Sequence, residues 1–126
     1  MDSQTTLQQL KEMALAFRDE RDWAPFHTPK DLAVALSIEA AELLEHFRFR
    51  DEEAVEEYLA GADHRRAVSY ELADLLFFLF CMSDRLGIDL SQAYLDKIKI
   101  SAERYPAWLV RGSSRKYTEW AREDQE

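Results

Sequence analysis

Residues 63–86 read DHRRAVSYELADLLFFLFCMSDRL, and this stretch decides the fold. Its apolar side chains recur every three or four positions, which is the spacing of one face of an α-helix. That stripe comprises Val68, Leu72, Leu75, Leu79, Met82 and Leu86. Because Leu76, Phe77 and Phe80 place more apolar surface around the helix, we expect it to be buried nearly all round, at the centre of the protein or beneath another subunit.

Capping residues divide the rest of the chain into further helices. The predicted starts are Thr5 (with Gln8 completing a capping box), Thr28 (with Pro29 at the first helical position), Asp51, and Asp89 or Ser91. The predicted ends are Phe47, Leu59 and Arg104, while Gly87 ends the long helix. Pro106 limits further helix, so residues 105–126 are expected to form an irregular tail. We therefore expect one all-α domain over residues 1–126, a bundle of four to five helices.

The overall charge is acidic, with 16 Lys and Arg against 25 Asp and Glu and a formal net charge of −9 over 126 residues. Nucleic acids and anionic membranes need a basic surface, so neither is expected as a partner. The N-terminus does not resemble a secretory signal, and no apolar run approaches the ~20 residues that span a bilayer. We therefore expect a cytoplasmic protein. Cys81, the single cysteine, lies in an apolar run and is expected to be a packed thiol.

Two acidic pairs interrupt the apolar helices. Glu39 and Glu42 are expected near the margin of the second helix's apolar stripe, and Glu71 and Asp74 lie in the long helix. Side chains three positions apart share a helix face, so each pair can direct its oxygens to a common point. Carboxylates in such apolar surroundings need a cation, and their neighbours in sequence are Ala, Ile, Leu and Phe rather than Lys or Arg. Oxygen ligands of this kind suit Mg²⁺.

Two other interpretations of these pairs compete with a metal site. One is a pair of acidic helix faces in solvent, which a chain with 33% charged residues readily provides. The other is a helical-bundle di-iron site, which requires Glu three positions before His on two helices. None of His27, His46 and His64 has Glu at that position, so the sequence excludes the di-iron site. Four carboxylates on two packed helices instead suit one or two divalent ions that act in displacement at phosphorus.

Three blocks of sequence resemble one known family. The first is the two acidic pairs themselves, separated by 28 residues. The second is RDWAPFHTPKDL at residues 21–32, and the third is RYP at 104–106 with RGSSRKYTE at 111–119. In this order they resemble the MazG-like all-α nucleotide pyrophosphohydrolases, in particular their dCTP-pyrophosphatase branch, from about Leu7 to Trp120.

The resemblance implies hydrolysis of a nucleoside triphosphate substrate to a monophosphate and pyrophosphate, dependent on Mg²⁺ with Mn²⁺ as a possible substitute. By the same resemblance, the metal ligands and catalytic residues are Glu39, Glu42, Glu71 and Asp74. One of these carboxylates, or Glu45, would orient the attacking water. A homo-oligomer is also implied, a tetramer or at least a dimer, with sites completed across subunit interfaces.

A set of substrate-binding residues follows from the same resemblance. Trp23 and Phe49 would stack on the base, and His27 would either contact the ligand or hold its loop. Phe78 and Ser101 stand where the branch has Tyr and Asn near the nucleotide. The phosphates would be bound by Lys97, Arg104, Tyr105, Lys116 and Tyr117, with Arg115 and Lys30 as further candidates.

The replacements at Phe49, Phe78 and Ser101 remove hydrogen-bonding groups that the branch possesses. A pocket that mainly stacks on its substrate discriminates weakly between bases. We therefore expect an altered or broader base preference, with dCTP or modified dNTPs as substrates. Hydrolysis of dUTP or phosphoribosyl-ATP on the same fold is the alternative enzymatic function. A non-catalytic helical protein that binds nucleotide or assembles with partners is the alternative from another class.

Overall fold

The computed structural model describes residues 1–123, with side chains described to residue 120, and this part of the chain contains no strand. Its helices in order are α1 (Leu7–Glu20), α2 (Pro29–Glu45), α3 (Glu52–Ala60), α4 (Ala62–Leu86), α5 (Leu90–Arg104), α6 (Ala107–Val110) and α7 (Tyr117–Glu123). A 3₁₀ turn, Ala24–Phe26, lies between α1 and α2. The all-α class is confirmed, and α1 to α5 are the helices that the sequence predicts.

The first helix begins one residue later than predicted. Thr6, not Thr5, is the capping residue: its hydroxyl accepts from the Gln9 N–H at 3.1 Å, and the Gln9 side chain accepts from the Thr6 N–H at 2.8 Å. Both pairs, Thr5 with Gln8 and Thr6 with Gln9, have the sequence pattern of a capping box. The extended backbone of Thr6, with φ −87° and ψ 158°, decides between the two registers.

Most of the other predicted boundaries agree closely with the structure. The hydroxyl of Thr28 and the carboxylates of Asp51 and Asp89 each accept a hydrogen bond from the N–H three residues later. Gly87 ends α4 in the left-handed conformation, with φ 65°, which glycine adopts without steric cost. The structure ends α2 at Glu45, two residues before the predicted end at Phe47. It begins α4 at Ala62, just before Asp63 or His64, where the sequence predicts the start.

The expectation of an irregular C-terminal tail is wrong. Pro106 forms the N-terminal cap of α6, where its missing N–H leaves no helical hydrogen bond unmade. Near the start of α7, the Lys116 N–H donates to the Glu119 carboxylate at 2.9 Å. Both helices are short, and residues 124–126 of the predicted tail lie outside the described residues.

The chain forms two compact units, Met1–Ile88 and Asp89–Glu126. In the first unit, α4 packs against α1, α2 and α3, and its contact with α2 is the most extensive. The second unit contains α5, α6 and α7. The single domain expected from the sequence remains a prediction.

The core of the first unit is small and lies along α4. Leu32 of α2 is fully buried against it, together with Phe80, Cys81 and Ser83 of α4 itself. Burial raises the pKa of the Cys81 thiol, in agreement with the packed thiol expected from the sequence. However, Leu72 is 53% exposed in the single chain, so α4 is central without being buried all round.

An ion pair links α1 to α4 at the edge of this core. Nη1 of Arg18 lies 2.9 Å from the Asp84 carboxylate, and Nε lies 2.8 Å from Asp19. The Arg18 side chain is only 11% exposed. Partial burial and two carboxylate partners make this a stronger restraint than an exposed pair.

None of the helices described here combines the length and the apolar character needed to cross a membrane. The expected cytoplasmic location stays a prediction.

Candidate active site

Glu39 lies on the inward face of α2 rather than at its margin. Leu32, Leu36, Glu39 and Leu43 follow one another at spacings of three or four positions, and each is at least partly buried. This side chain therefore occupies a position that an apolar residue would normally fill. Glu42, one turn further along, is exposed. The pair thus reaches from the packed side of the helix to its solvent side.

The structure brings three of the four predicted metal ligands together. One carboxylate oxygen from each of Glu39, Glu42 and Glu71 lies within 4.8 Å of the others. This acidic cluster forms where α2 packs against α4. Oε2 of Glu39 and Oε2 of Glu71 are buried and have no hydrogen-bond partner. Buried, unpaired carboxylate oxygens are costly unless a cation or a proton satisfies them.

The electrostatics of Glu39 likewise disfavour an ionised carboxylate without a cation. Its pKa is raised from 4.5 to about 7, chiefly by burial, then by a hydrogen bond and charge repulsion from Glu42, and by the charges of Asp74 and Glu71. Without a cation, the cluster retains a proton to limit this repulsion. Convergent, oxygen-only ligands with unsatisfied oxygens fit a hard divalent ion such as Mg²⁺.

Asp74 lies beside the acidic cluster and not within it. Its side chain is exposed and lines a pocket that Glu39 also lines. Asp74 contributes to the raised pKa of Glu39 through its charge. The fourth predicted ligand is therefore close to the other three, on the side that faces the pocket.

The pocket next to the cluster is mostly aromatic. It has a volume of about 350 Å³ and is lined by Phe17, Trp23, Glu39, Asp74, Phe77 and Phe78. The Trp23 ring packs edge-on against Phe17, with 5.6 Å between the ring centres. The volume lies within the usual range for small-molecule sites. Aromatic walls beside carboxylates suit a ligand that has a flat ring at one end and metal-bound phosphates at the other.

His27 packs against two of the aromatic residues that line the pocket. Its ring packs edge-on against Phe77 and Phe78, with ring centres 6.4 and 6.3 Å apart. Its Nδ1 is buried with no hydrogen-bond partner. Burial, and secondarily the charge of Arg18, lower the pKa of this imidazole. His27 is therefore held neutral where it contacts the pocket-lining rings.

Phe49, predicted to be the second wall for the base, does not line this pocket. Its side chain is 92% exposed, its backbone has φ 63°, and the Arg48 guanidinium lies 4.4 Å from its ring centre. Glu45, the alternative water-orienting residue, is exposed and paired with Arg48 at 2.8 Å. The single chain thus brings Trp23 and Phe78, but not Phe49, to the site.

The predicted phosphate-binding residues lie in the second unit, except the further candidate Lys30, which lies in the first turn of α2. Lys97, Ser101 and Arg104 recur along α5 at a spacing that places them on one helix face. The Arg104 guanidinium lies 4.8 Å from the ring centre of Tyr117, whose ring packs edge-on against Tyr105 at 6.0 Å. Lys116 precedes Tyr117 at the start of α7 and is exposed. Three of the predicted residues are thus brought together within this unit.

Sequence reasoning missed three residues at the site. Hydrophobic spacing places Phe17 and Phe77 among the apolar helix positions, and spacing alone cannot tell a pocket wall from a core position. His46 lacks the spacing of an iron ligand, yet its Nε2 lies 3.5 Å from Glu71. The spacing from Glu39 to His46, about two helical turns, places both on one face of the α2 segment and was a usable signal.

Comparisons with known proteins find a matching family and similar proteins. The model of the MazG-like family matches residues 34–120. Human dCTP pyrophosphatase 1 is 40% identical over 114 residues, which cover 90% of this chain and 67% of the human protein. The bovine dCTP pyrophosphatase 1 is 38% identical over 117 residues, covering 93% and 69%. A crystal structure of a pyrophosphatase from Archaeoglobus fulgidus superimposes with a TM-score of 0.73 at 37% identity, covering 79% of this chain and 91% of that one.

Proposed function

Because this chain belongs to the MazG-like family and is a nucleoside triphosphate pyrophosphohydrolase, we propose that it hydrolyses deoxynucleoside triphosphates, dCTP or modified dNTPs, to the monophosphate and pyrophosphate with Mg²⁺ as its cofactor. The reaction adds water across the bond between the α- and β-phosphates. The convergence of Glu39, Glu42 and Glu71 on one point is the observation that carries this proposal.

Four carboxylates would hold the cofactor: Glu39, Glu42, Glu71 and Asp74. When bound, a divalent ion supplies a Lewis acid for phosphate oxygens and lowers the pKa of bound water. The chain's own contribution is to present oxygen ligands on two packed helices, which holds them more precisely than loops would. Glu39 presents a buried oxygen without a hydrogen-bond partner beside Glu42 and Glu71. It is therefore our candidate for orienting the attacking water.

The aromatic pocket supports binding of the base by stacking. Trp23 and Phe17 line it together with Phe77 and Phe78. Phe78 offers no hydroxyl to the base or sugar, so discrimination would rest on shape and stacking rather than on hydrogen bonds. For this reason we propose a substrate range that extends beyond dCTP to dNTPs with modified bases.

Exposed apolar side chains on α2 and α4 support a homo-oligomer, a tetramer or a dimer. Val34 and Ile38 are one turn apart on α2 and are 51% and 52% exposed, and Leu72 and Leu79 of α4 are 53% and 42% exposed. Apolar groups at regular helical spacing on a surface mark interaction sites. A partner subunit would complete the cover of α4, as expected from its sequence.

The test is to incubate the purified protein with Mg²⁺ and a panel of canonical and modified dNTPs, and to identify the products. A monophosphate with pyrophosphate supports the proposal, whereas a diphosphate with inorganic phosphate contradicts it. Comparable kcat/KM values for dCTP and at least one modified dNTP are expected. A strong and exclusive preference for dCTP would contradict the proposed substrate range.

A further inference from the structure

We propose that His46 is a positioning residue that fixes the Glu71 carboxylate for cation binding. This inference rests on the proposed function, because it concerns the same metal site. His46 is neither one of the converging carboxylate ligands nor a residue that lines the aromatic pocket. It lies at the end of α2 and makes contacts with both α3 and α4.

The two ring nitrogens of His46 have different partners. Nε2 lies 3.5 Å from Oε1 of Glu71, and Nδ1 lies 2.8 Å from the hydroxyl of Tyr58. The side chains of His46 and Glu71 are only 17% and 19% exposed. A carboxylate only accepts hydrogen bonds, so the neutral ring places its hydrogen on Nε2 and Nδ1 accepts from the Tyr58 hydroxyl. The Tyr58 hydroxyl can donate to Nδ1 and so supports the tautomer that faces Glu71 with a donor.

Tyr58 is itself held in place. Its ring stacks on His64, with ring centres 4.0 Å apart and an interplanar angle of 5°, and the Arg50 guanidinium lies 4.1 Å from the same ring centre. A chain of contacts therefore runs from the Tyr58 ring on α3, through His46 at the C-terminal cap of α2, to Glu71 on α4. Three helices share in setting the orientation of one carboxylate.

The consequence concerns which oxygen of Glu71 is available. Oε1 faces His46, while Oε2 is buried without a hydrogen-bond partner. His46 itself is not among the residues whose ligand atoms converge. It therefore acts on the carboxylate and not on the ion. Residues that orient a metal ligand in this way typically change metal affinity by about 10–100-fold when they are replaced.

The experiment measures Mn²⁺ binding by titration calorimetry, without nucleotide, on the full chain. His46→Leu removes the donor and should weaken Mn²⁺ binding by about tenfold or more. His46→Gln places an amide donor near the position of Nε2 and should restore most of the affinity. His46→Asn reaches Tyr58 but not Glu71, so it should behave like His46→Leu. Tyr58→Phe, which frees the tautomer, should give a smaller loss.

Glu57→Gln is the control, because Glu57 precedes Tyr58 at an exposed position of α3 and is not among the converging ligands. It should leave Mn²⁺ affinity unchanged. Thermal melting in EDTA checks that each variant is folded, and if His46→Leu unfolds, the comparison of His46→Asn with His46→Gln decides. Equal affinities for those two variants would overturn the inference. Absence of Mn²⁺ binding in the wild type would overturn the metal site itself, whereas normal wild-type binding and hydrolysis with an unaffected His46→Leu would overturn the role of His46 alone.

Discussion

Glu39 is the residue at which packing and chemistry conflict. It occupies an inward position on α2 that an apolar side chain would fill, and two further carboxylates converge on it. Its pKa is raised to about 7 from an ordinary 4.5, because burial and the neighbouring carboxylates disfavour the ionised form. A position of this kind persists in a folded protein when a ligand offsets the cost.

The pH dependence of stability should report this cost directly. Between pH 4.5 and 7, the folded protein keeps the Glu39 proton that the unfolded chain has released. The unfolded state then binds fewer protons, so the free energy of unfolding falls as pH rises through this interval. We expect the melting temperature in EDTA to fall over the same range, and to fall less with Glu39→Gln. Parallel curves of melting temperature against pH for the wild type and the variant would show that Glu39 is not the source of the pH dependence.

Glu71 should be essential for turnover. Loss of a ligand to a catalytic divalent ion removes several kcal/mol of transition-state stabilisation, so Glu71→Gln should lower kcat/KM by about 100-fold or more. Steady-state assays at saturating Mg²⁺, with a dNTP that the wild-type protein hydrolyses, measure this loss of kcat/KM. Glu57→Gln on the exposed side of α3 is the control and should have near-normal activity. Near-normal rates in Glu71→Gln would show that Glu71 is not a metal ligand.

At the residue scale, the sequence predicted what depends on local pattern. The carboxylate pairs were visible because charged residues stand out in apolar helices, and three of the four do converge. The contact from His46 to Glu71 joins residues on different helices and depends on how α2, α3 and α4 pack, so the sequence indicates only that His46 shares a helix face with Glu39. Phe49 does not line the pocket in the single chain, so its role as a wall for the base stays a prediction from the resemblance.

At the scale of the element, helix α1 has two possible capping registers and uses one. Thr6→Ala removes the hydroxyl that accepts from the Gln9 N–H and should cost about 1 kcal/mol of stability. Thr5→Ala removes no capping hydrogen bond and should cost much less. Urea unfolding of both variants measures the difference. A larger loss for Thr5→Ala would restore the register that the sequence first suggested.

The other elements show where prediction from sequence succeeds. Thr28, Asp51, Gly87 and Asp89 mark helix ends by local hydrogen bonds or backbone conformation, and each boundary is found at or beside the predicted residue. The short helices α6 and α7 were missed because a single turn or two carries almost no periodic signal.

At the scale of the whole molecule, the exposed apolar stripes of α2 and α4 predict assembly. Wild-type protein should elute as a dimer or tetramer, and Leu79→Lys should shift it to a smaller species by placing a charge on the α4 stripe. Light scattering coupled to size exclusion measures the mass. Gln8→Lys adds the same charge on an exposed polar position of α1 and should leave the mass unchanged. An unaltered mass for Leu79→Lys would place the interface elsewhere.

The ion pair from Arg18 to Asp84 allows the shape of the pocket to vary independently of the positions of the carboxylates, which a site on a single helix would not allow. It fixes α1, whose Phe17 forms one wall of the pocket, to the last turns of α4, well beyond Glu71 and Asp74 in the sequence. Replacements in α1 can therefore widen or narrow the pocket while the carboxylates on α2 and α4 keep their places. Over evolutionary time, such a layout lets the range of accepted nucleotides drift while the hydrolytic chemistry is retained.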